Sequence, residues 1–221
     1  MNLTLFDLDG TLIPGDSDHS FGGHMVDIGW ADGEAWRTRN DQFYADYCAG
    51  NLNLGEYINF TTGVWRHRSA DEVAAVQQSF MDQVMTAQIR PEARALIEKH
   101  RAAGDLIAIV TATNEFVTTP IARAFGVEHL IAVELEQADG AYTGRIRGTP
   151  SFKEGKIQRV HDWLAGLGRQ WSDFERQTFY SDSINDLPLL EAASHPVATN
   201  PAPSLAKIAT ERGWPILNLF A

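Results

Sequence analysis

The stretch Asn2 to Leu12, NLTLFDLDGTL, constrains this chain more than any other. A short apolar run, Leu3, Leu5, Phe6 and Leu8, carries Asp7 and Asp9 and is broken at once by Gly10 and Thr11. The run reads as a buried strand, and in open α/β sheets ligand sites lie just beyond the carboxyl ends of strands. Residues i and i+2 of a strand face the same side, so the two carboxylates converge on one small volume. Unpaired, they repel and one takes up a proton, unless a cation sits between them or their roles diverge. A hard divalent ion such as Mg²⁺, held by one or two carboxylates and a substrate phosphate, meets that demand. A strand-ending turn is the plain alternative, because Asp and Gly both favour turns.

Composition narrows the classes. With 221 residues and 44% apolar content the chain can build an ordinary globular core. A formal charge of −11 argues against nucleic-acid partners, which require a basic surface. Cys48 is the only cysteine, which excludes an internal disulfide and fits a reducing cytoplasm. No basic region precedes the first apolar segment and no apolar run approaches ~18 residues, so neither export nor a membrane partner is expected.

Between Pro14 and about Thr86 strand-type runs give way to helical spacing. Trp36, Asn40, Phe43, Tyr44 and Tyr47 share one helical face, with Gly50 as its stop, and Leu54, Tyr57, Ile58, Val64 and Trp65 suggest another helix. Ser69 with Glu72 forms a capping-box pattern ahead of the face Val73, Val76, Phe80, Met81 and Val84. These residues predict a small helical bundle inserted after the first strand. From Pro91 strands and helices alternate: a helix ending at Gly104, a strand over Leu106 to Val110, and a helix from Glu115 to Phe125. Asp139-Gly140 marks a hairpin between Leu130 to Glu136 and Ala141 to Arg147. A helix from about Gly155 to Leu164, a strand over Thr178 to Tyr180 and weaker strands at Pro196 to Ala198 and Ile216 to Leu217 complete the pattern. The fold class expected is α/β, with a doubly wound, mostly parallel sheet.

Three of these strands end in residues suited to phosphate chemistry. Asp7 and Asp9 follow the first, Thr111 the second, and Asp182 with Asp186 the last. Converging carboxylates make an oxygen-rich pocket of the kind Mg²⁺ prefers, and the amides after Thr111 open a helix, where phosphate binding is favoured. Lys156, with Lys153 as runner-up, is the cation to offset the phosphate.

Four segments, Asp7-Leu8-Asp9-Gly10-Thr11, Thr111, Lys156 and Asp182-Ser183-Ile184-Asn185-Asp186, occur in the order of the haloacid dehalogenase-superfamily phosphatases. The chain resembles the phosphoserine phosphatase-like branch of that superfamily. The resemblance implies a HAD-like, Rossmannoid core over 1–14 and 87–221, with a helical cap over 15–86. It departs at Ser183, where many relatives have glycine, and at Thr111-Ala112-Thr113, where a serine followed by glycines is usual.

What the resemblance implies about chemistry is specific. Asp7 attacks phosphorus and forms an aspartyl-phosphate, and Asp9 serves as general acid and then base. Mg²⁺ is held by Asp7, the backbone carbonyl of Asp9, and Asp182, with Asp186 orienting the metal shell or Lys156. Thr111, the Ala112 amide, Lys156 and Asn185 hold the phosphoryl oxygens. Asp16 occupies the place where the branch puts an acidic residue against a substrate amine, so an amino-bearing small-molecule phosphomonoester such as phosphoserine or histidinol phosphate is expected. Asp16, Ser17 and Asp18 read equally well as a helix cap. Arg39, Arg66, Arg68 and Arg90 read as solvated surface residues, and His19 and His24 lack metal-ligand spacing. A phosphotransferase of the same fold and a non-catalytic module binding Mg²⁺ or phosphate are the competing readings.

Overall fold

The computed structural model describes residues 1–220. Its centre is the strand read from the opening stretch, β1 (Leu3–Phe6), in which every residue is buried. Both faces of β1 are covered, which explains its unbroken apolar run. Leu3 and Leu5 pack on one face of the sheet and Phe6 on the other, as strand alternation requires. Burying such side chains contributes about 2 kcal/mol each.

The helices α1 (Ser17–Asp27), α2 (Gly33–Cys48), α3 (Leu54–Thr62) and α4 (Ala70–Phe80) follow. The capping box of α4 forms as its sequence predicts, with Ser69 and Glu72 each bonding the other's backbone. The apolar face expected to run through Val84 does not stay on one helix. A π-turn over Met81–Met85 resets the phase and buries Met85, and the Thr86 hydroxyl bonds the Met81 carbonyl at 2.8 Å.

The chain then alternates: α5 (Pro91–Ala102), β2 (Leu106–Asn114), α6 (Glu115–Ala124) and β3 (His129–Val133). A hairpin of β4 (Leu135–Ala138) and β5 (Ala141–Ile146) comes next, followed by α7 (Gly155–Gly166), β6 (Gln177–Ser181), α8 (Leu187–Ala192), β7 (His195–Thr199), α9 (Pro203–Arg212) and β8 (Ile216–Leu217). Six strands form one parallel sheet in the order β3-β2-β1-β6-β7-β8. The order reverses between β1 and β6, so the carboxyl ends of these two strands flank the switch point where α/β sheets place ligands.

Two local readings change. The strand expected to stop at Val110 continues to Asn114, past a register shift, and Asn114 then caps α6 by accepting the Val117 N–H at 3.2 Å. The run Leu130 to Glu136 is two strands, because β3 belongs to the main sheet while β4 pairs only with β5. Asp139 and Gly140 both take positive φ, 52° and 79°, as a two-residue hairpin turn demands. Among the described residues no helix is long and apolar enough to cross a membrane.

Candidate active site

The turn after β1 is built by one acceptor. The Leu8 carbonyl receives the N–H groups of Thr11, Leu12 and Ile13, which folds the chain back and buries both apolar side chains. Gly10 takes φ +75°, and a Cβ there would collide with the Asp182 carboxylate. The Asp7 N–H donates to the Tyr180 carbonyl at 2.9 Å, so the first aspartate is fixed beside the end of β6.

Lys156, entering on α7, lies between two acids: its Nζ stands 2.8 Å from Asp7 Oδ1 and 2.7 Å from the Asp186 carboxylate. All three groups are buried. Ser181 Oγ donates to Asp186 Oδ2 at 2.8 Å, which orients that carboxylate toward the lysine. Thr11 Oγ1 lies 3.2 Å from Asp7 Oδ2 and 3.4 Å from Asp182 Oδ1, and accepts the Asp182 N–H at 3.1 Å. One hydroxyl therefore joins the carboxylates at the ends of β1 and β6.

Asp9 faces the other way. Its Oδ1 accepts the Ser17 N–H at 2.6 Å, and its Oδ2 accepts the Thr113 hydroxyl at 2.9 Å and the Thr111 hydroxyl at 3.4 Å. Asp16 caps α1, accepting the His19 N–H at 2.7 Å, so the helix-cap reading of this residue holds structurally. Asp18, in the first turn of α1, is buried and receives the Asn114 amide at 3.3 and 3.4 Å.

A cavity of about 30 Å³ lies between Asp7, Asp9, Thr111 and Ala112 on one side and the rings of Phe43, Tyr44, Tyr47 and Tyr57 on the other. That volume admits water-sized occupants. A groove of about 570 Å³ adjoins it along Gly10, Asp182 and Asn200, and Asp9, Asp16, Tyr44 and Tyr47 border both spaces. Two side chains hold the end of α2 over the site. Asn185 Nδ2 donates to the Tyr47 carbonyl at 3.0 Å, and Lys153 Nζ to the Gly50 carbonyl at 2.8 Å. Asn185 thus bonds the helical unit, and of the two candidate lysines it is Lys156 that reaches the carboxylates.

The electrostatics are lopsided. Among the described residues Lys156 is the only lysine or arginine paired with any of Asp7, Asp9, Asp16, Asp18, Asp182 and Asp186. Burial pushes the Asp7 carboxyl up to about 7, opposed by the Lys156 charge. Burial and then Asp16 push Asp9 up to about 6, while burial and the Asp7 and Asp186 charges drive Asp182 well above its ordinary value. Burial disfavours the Lys156 ammonium, but Asp186 and Asp7 outweigh it and hold the group charged. This all-oxygen, charge-deficient donor set suits a hard dication. No group of three His, Cys, Asp or Glu side chains is placed to hold a metal among the described residues, so an ion here would need further contacts from backbone, phosphate and water.

Asp16 supports a pH test. Burial pushes its carboxyl up to about 6, opposed by the N–H groups of His19 and Asp18, with the Asp7 charge adding to the rise. A raised folded pKa means that the stability it contributes is complete below the unfolded value of 3.8 and is lost as pH rises through about 6. With divalent ions removed, thermal melts from pH 4.5 to 7.5 should show Asp16→Asn gaining on the wild type as pH rises, since Asn also caps helices. A pH-independent difference in Tm would show that Asp16 ionises freely.

Several participants were not legible as such. Thr113 shares the side of β2 that carries Thr111, and only the continuation of the strand reveals it. The rings of α2 and α3 have the helical spacing of core residues, with those nearest the first stretch open to a second role, and Phe43, Tyr44, Tyr47 and Tyr57 do wall the cavity. Arg39, Arg66, Arg68 and Arg90 lie outside the cavity lining; Arg39, Arg68 and Arg90 are exposed, while Arg66 is half-buried and bonds Asn59 Oδ1 at 2.8 Å and the Thr143 carbonyl at 3.3 Å.

The chain matches the model of the haloacid dehalogenase-like hydrolases over residues 4–191. It is 42% identical over 218 residues to the histidinol-phosphatase of Neisseria meningitidis serogroup C, covering 98% of both chains. A protein of unknown function from Bordetella pertussis Tohama I shares the fold with a TM-score of 0.93 at 50% identity, over 99% of both chains. A substrate-bound phosphoserine phosphatase superposes with a TM-score of 0.69 at 16% identity, over 98% of this chain and 92% of the other, a likeness of fold alone.

Proposed function

This chain belongs to the haloacid dehalogenase-like hydrolase family and is a phosphatase, and from that premise we propose that it is a Mg²⁺-dependent phosphomonoesterase for a small amino-bearing phosphate ester, with histidinol phosphate as the leading substrate. The observation that carries this reading is the lining of the cavity. Asp7, Asp9, Asp16 and Asp18 all line it, with no lysine or arginine among its described lining residues. A substrate ammonium finds a carboxylate there; for the carboxylate of phosphoserine the one basic lining group is the His19 imidazole, already held by Asp41 at 2.7 Å. The 42% identity to a histidinol-phosphatase supports the same choice.

In this reading residues 15–86 form a cap over the rest of the chain. Asp7 attacks phosphorus, the P–O bond to the alcohol breaks, and Asp9 gives its proton to the departing oxygen. Asp9 then takes a proton from the water that attacks the aspartyl-phosphate, restoring Asp7 and releasing phosphate. Asp9 can do this because burial leaves it protonated in part near neutral pH, while the Ser17 and Thr113 bonds aim it. Lys156, the Thr111 hydroxyl and the Ala112 amide take the phosphoryl oxygens, where fixed dipoles and charge dominate phosphoryl transfer. Asp7 and Asp182, with the Asp9 carbonyl, would hold Mg²⁺. When bound, the ion supplies the positive charge that keeps Asp7 ionised and offsets the phosphate.

Phosphate release from a panel of phosphomonoesters, with Mg²⁺ and then with chelator, tests the reading. Release concentrated on histidinol phosphate, lost with chelator and restored by Mg²⁺, is the expected result. Chelator-insensitive release removes the metal from the proposal, and diversion of phosphate to added alcohols makes the enzyme a phosphotransferase.

A further inference from the structure

If Asp16 meets the substrate amine, a second carboxylate in the same cavity is left without a partner of opposite charge. Asp18 lines the enclosed cavity but not the adjoining groove, whereas Asp16 borders both. Its side chain receives a neutral donor, the Asn114 amide, at 3.3 and 3.4 Å, and the Tyr57 hydroxyl stands near it. No cation reaches it among the described residues, although it is 5% exposed. A buried carboxylate held by neutral groups is costly, and it is relieved either by a proton, the direction in which burial drives Asp18, or by a cation. Asp18 also has apolar and aromatic company: Phe43, Tyr57, Leu52 and Leu54 line the same space. Flat rings and aliphatic walls suit a planar group, and an adjacent carboxylate suits a basic one.

Position along the reaction coordinate agrees. The alcohol leaves phosphorus on the side away from Asp7 and receives its proton from Asp9. Asp16 and Asp18 line the same cavity as Asp7 and Asp9. The body of the leaving alcohol would enter this space, which at about 30 Å³ must widen to hold it.

Resting on the phosphomonoesterase reading above, we propose that Asp18 is a specificity-determining residue that binds a second, planar basic group of the leaving alcohol. The preferred substrate then carries two basic groups and no carboxylate: one meets Asp16, the other Asp18. Tyr57 and Asn114 position the Asp18 carboxylate for that contact.

The test is the ratio of kcat/KM for histidinol phosphate, which carries both basic groups, to that for 2-aminoethyl phosphate, which carries only the amine. Phosphoserine is the carboxylate-bearing control. Wild type should favour the dibasic ester at least tenfold. Asp18→Asn should lower that ratio tenfold or more, chiefly through KM for the dibasic ester. Tyr57→Phe, which keeps the ring and removes one donor, should lower it severalfold and serves where Asp18→Asn does not fold. An unchanged ratio in folded Asp18→Asn, or in Tyr57→Phe should that variant be needed, overturns the assignment and reduces Asp18 to a tie between α1 and β2. A wild type that turns over phosphoserine faster than 2-aminoethyl phosphate overturns the carboxylate-free selection. Release from neutral esters alone, with none from any amino ester, defeats the underlying substrate reading as well, and the wild-type panel shows this before any variant is made.

Discussion

Asp7→Asn should lower phosphate release at least a thousandfold, roughly 4 kcal/mol of transition-state stabilisation, while the protein stays folded. An amide oxygen is a poor nucleophile, and no neighbouring group replaces it, since Asp9 is turned toward Ser17 and Thr113 and Asp182 toward Thr11. Stability should change little. Asn fills the same space, Lys156 keeps its bond to Asp186 at 2.7 Å, and the cost of burying one of the two carboxylates around it disappears. Single-turnover phosphate release and a thermal melt on the same preparation check both halves. Turnover like that of the wild type would remove Asp7 from the mechanism.

Lys156→Met should damage both fold and activity. It leaves the side chains of Asp7 and Asp186, 4% and 2% exposed, without their shared cation. Removing one partner of a buried ion pair costs about 3–5 kcal/mol, which in a chain of this size lowers Tm by roughly 10 °C. Activity should fall with it, because the positive charge facing the phosphoryl oxygens is gone. The pH dependence identifies the cause. Burial already pushes the Asp7 carboxyl up to about 7 with Lys156 present, and losing the lysine raises it further. A carboxyl with a raised folded pKa contributes stability that is complete at low pH and is lost as pH rises through that value. The deficit of the variant should therefore grow as pH rises above about 7, where the wild-type carboxyl ionises and that of the variant does not. A deficit that is constant from pH 5 to pH 8 would mean that packing, not charge, accounts for the loss.

Local chemistry made much of this molecule readable. The strand Leu3–Phe6, the capping box at Ser69, proline at the start of α5 and the Asp139-Gly140 turn each depend on neighbours within a few residues. Errors arose where a distant partner decided. Leu130 to Glu136 is one apolar run in sequence, yet pairing sends its halves to different sheets. The face from Val73 to Val84 is one helix by spacing, but a π-turn shifts its phase so that Met85 enters the core.

The candidate site divides the same way. Asp7, Asp9, Asp182, Asp186 and Lys156 were visible because acids and a lysine at strand ends and a helix start are local signals, reinforced by their order along the chain. Sequence alone also indicated that the carboxylates could not all stay ionised unaided, since carboxylates brought this close repel and take up a proton or a cation. Only the tertiary structure decided which partners meet. Placing β6 beside β1 lets Thr11 join Asp7 and Asp182 and lets Lys156 separate Asp7 from Asp186. Packing of the helical unit over the sheet turned Asp18 and the α2 rings into cavity wall. No spacing rule encodes those contacts, because they join residues far apart in the chain through burial that every element shares.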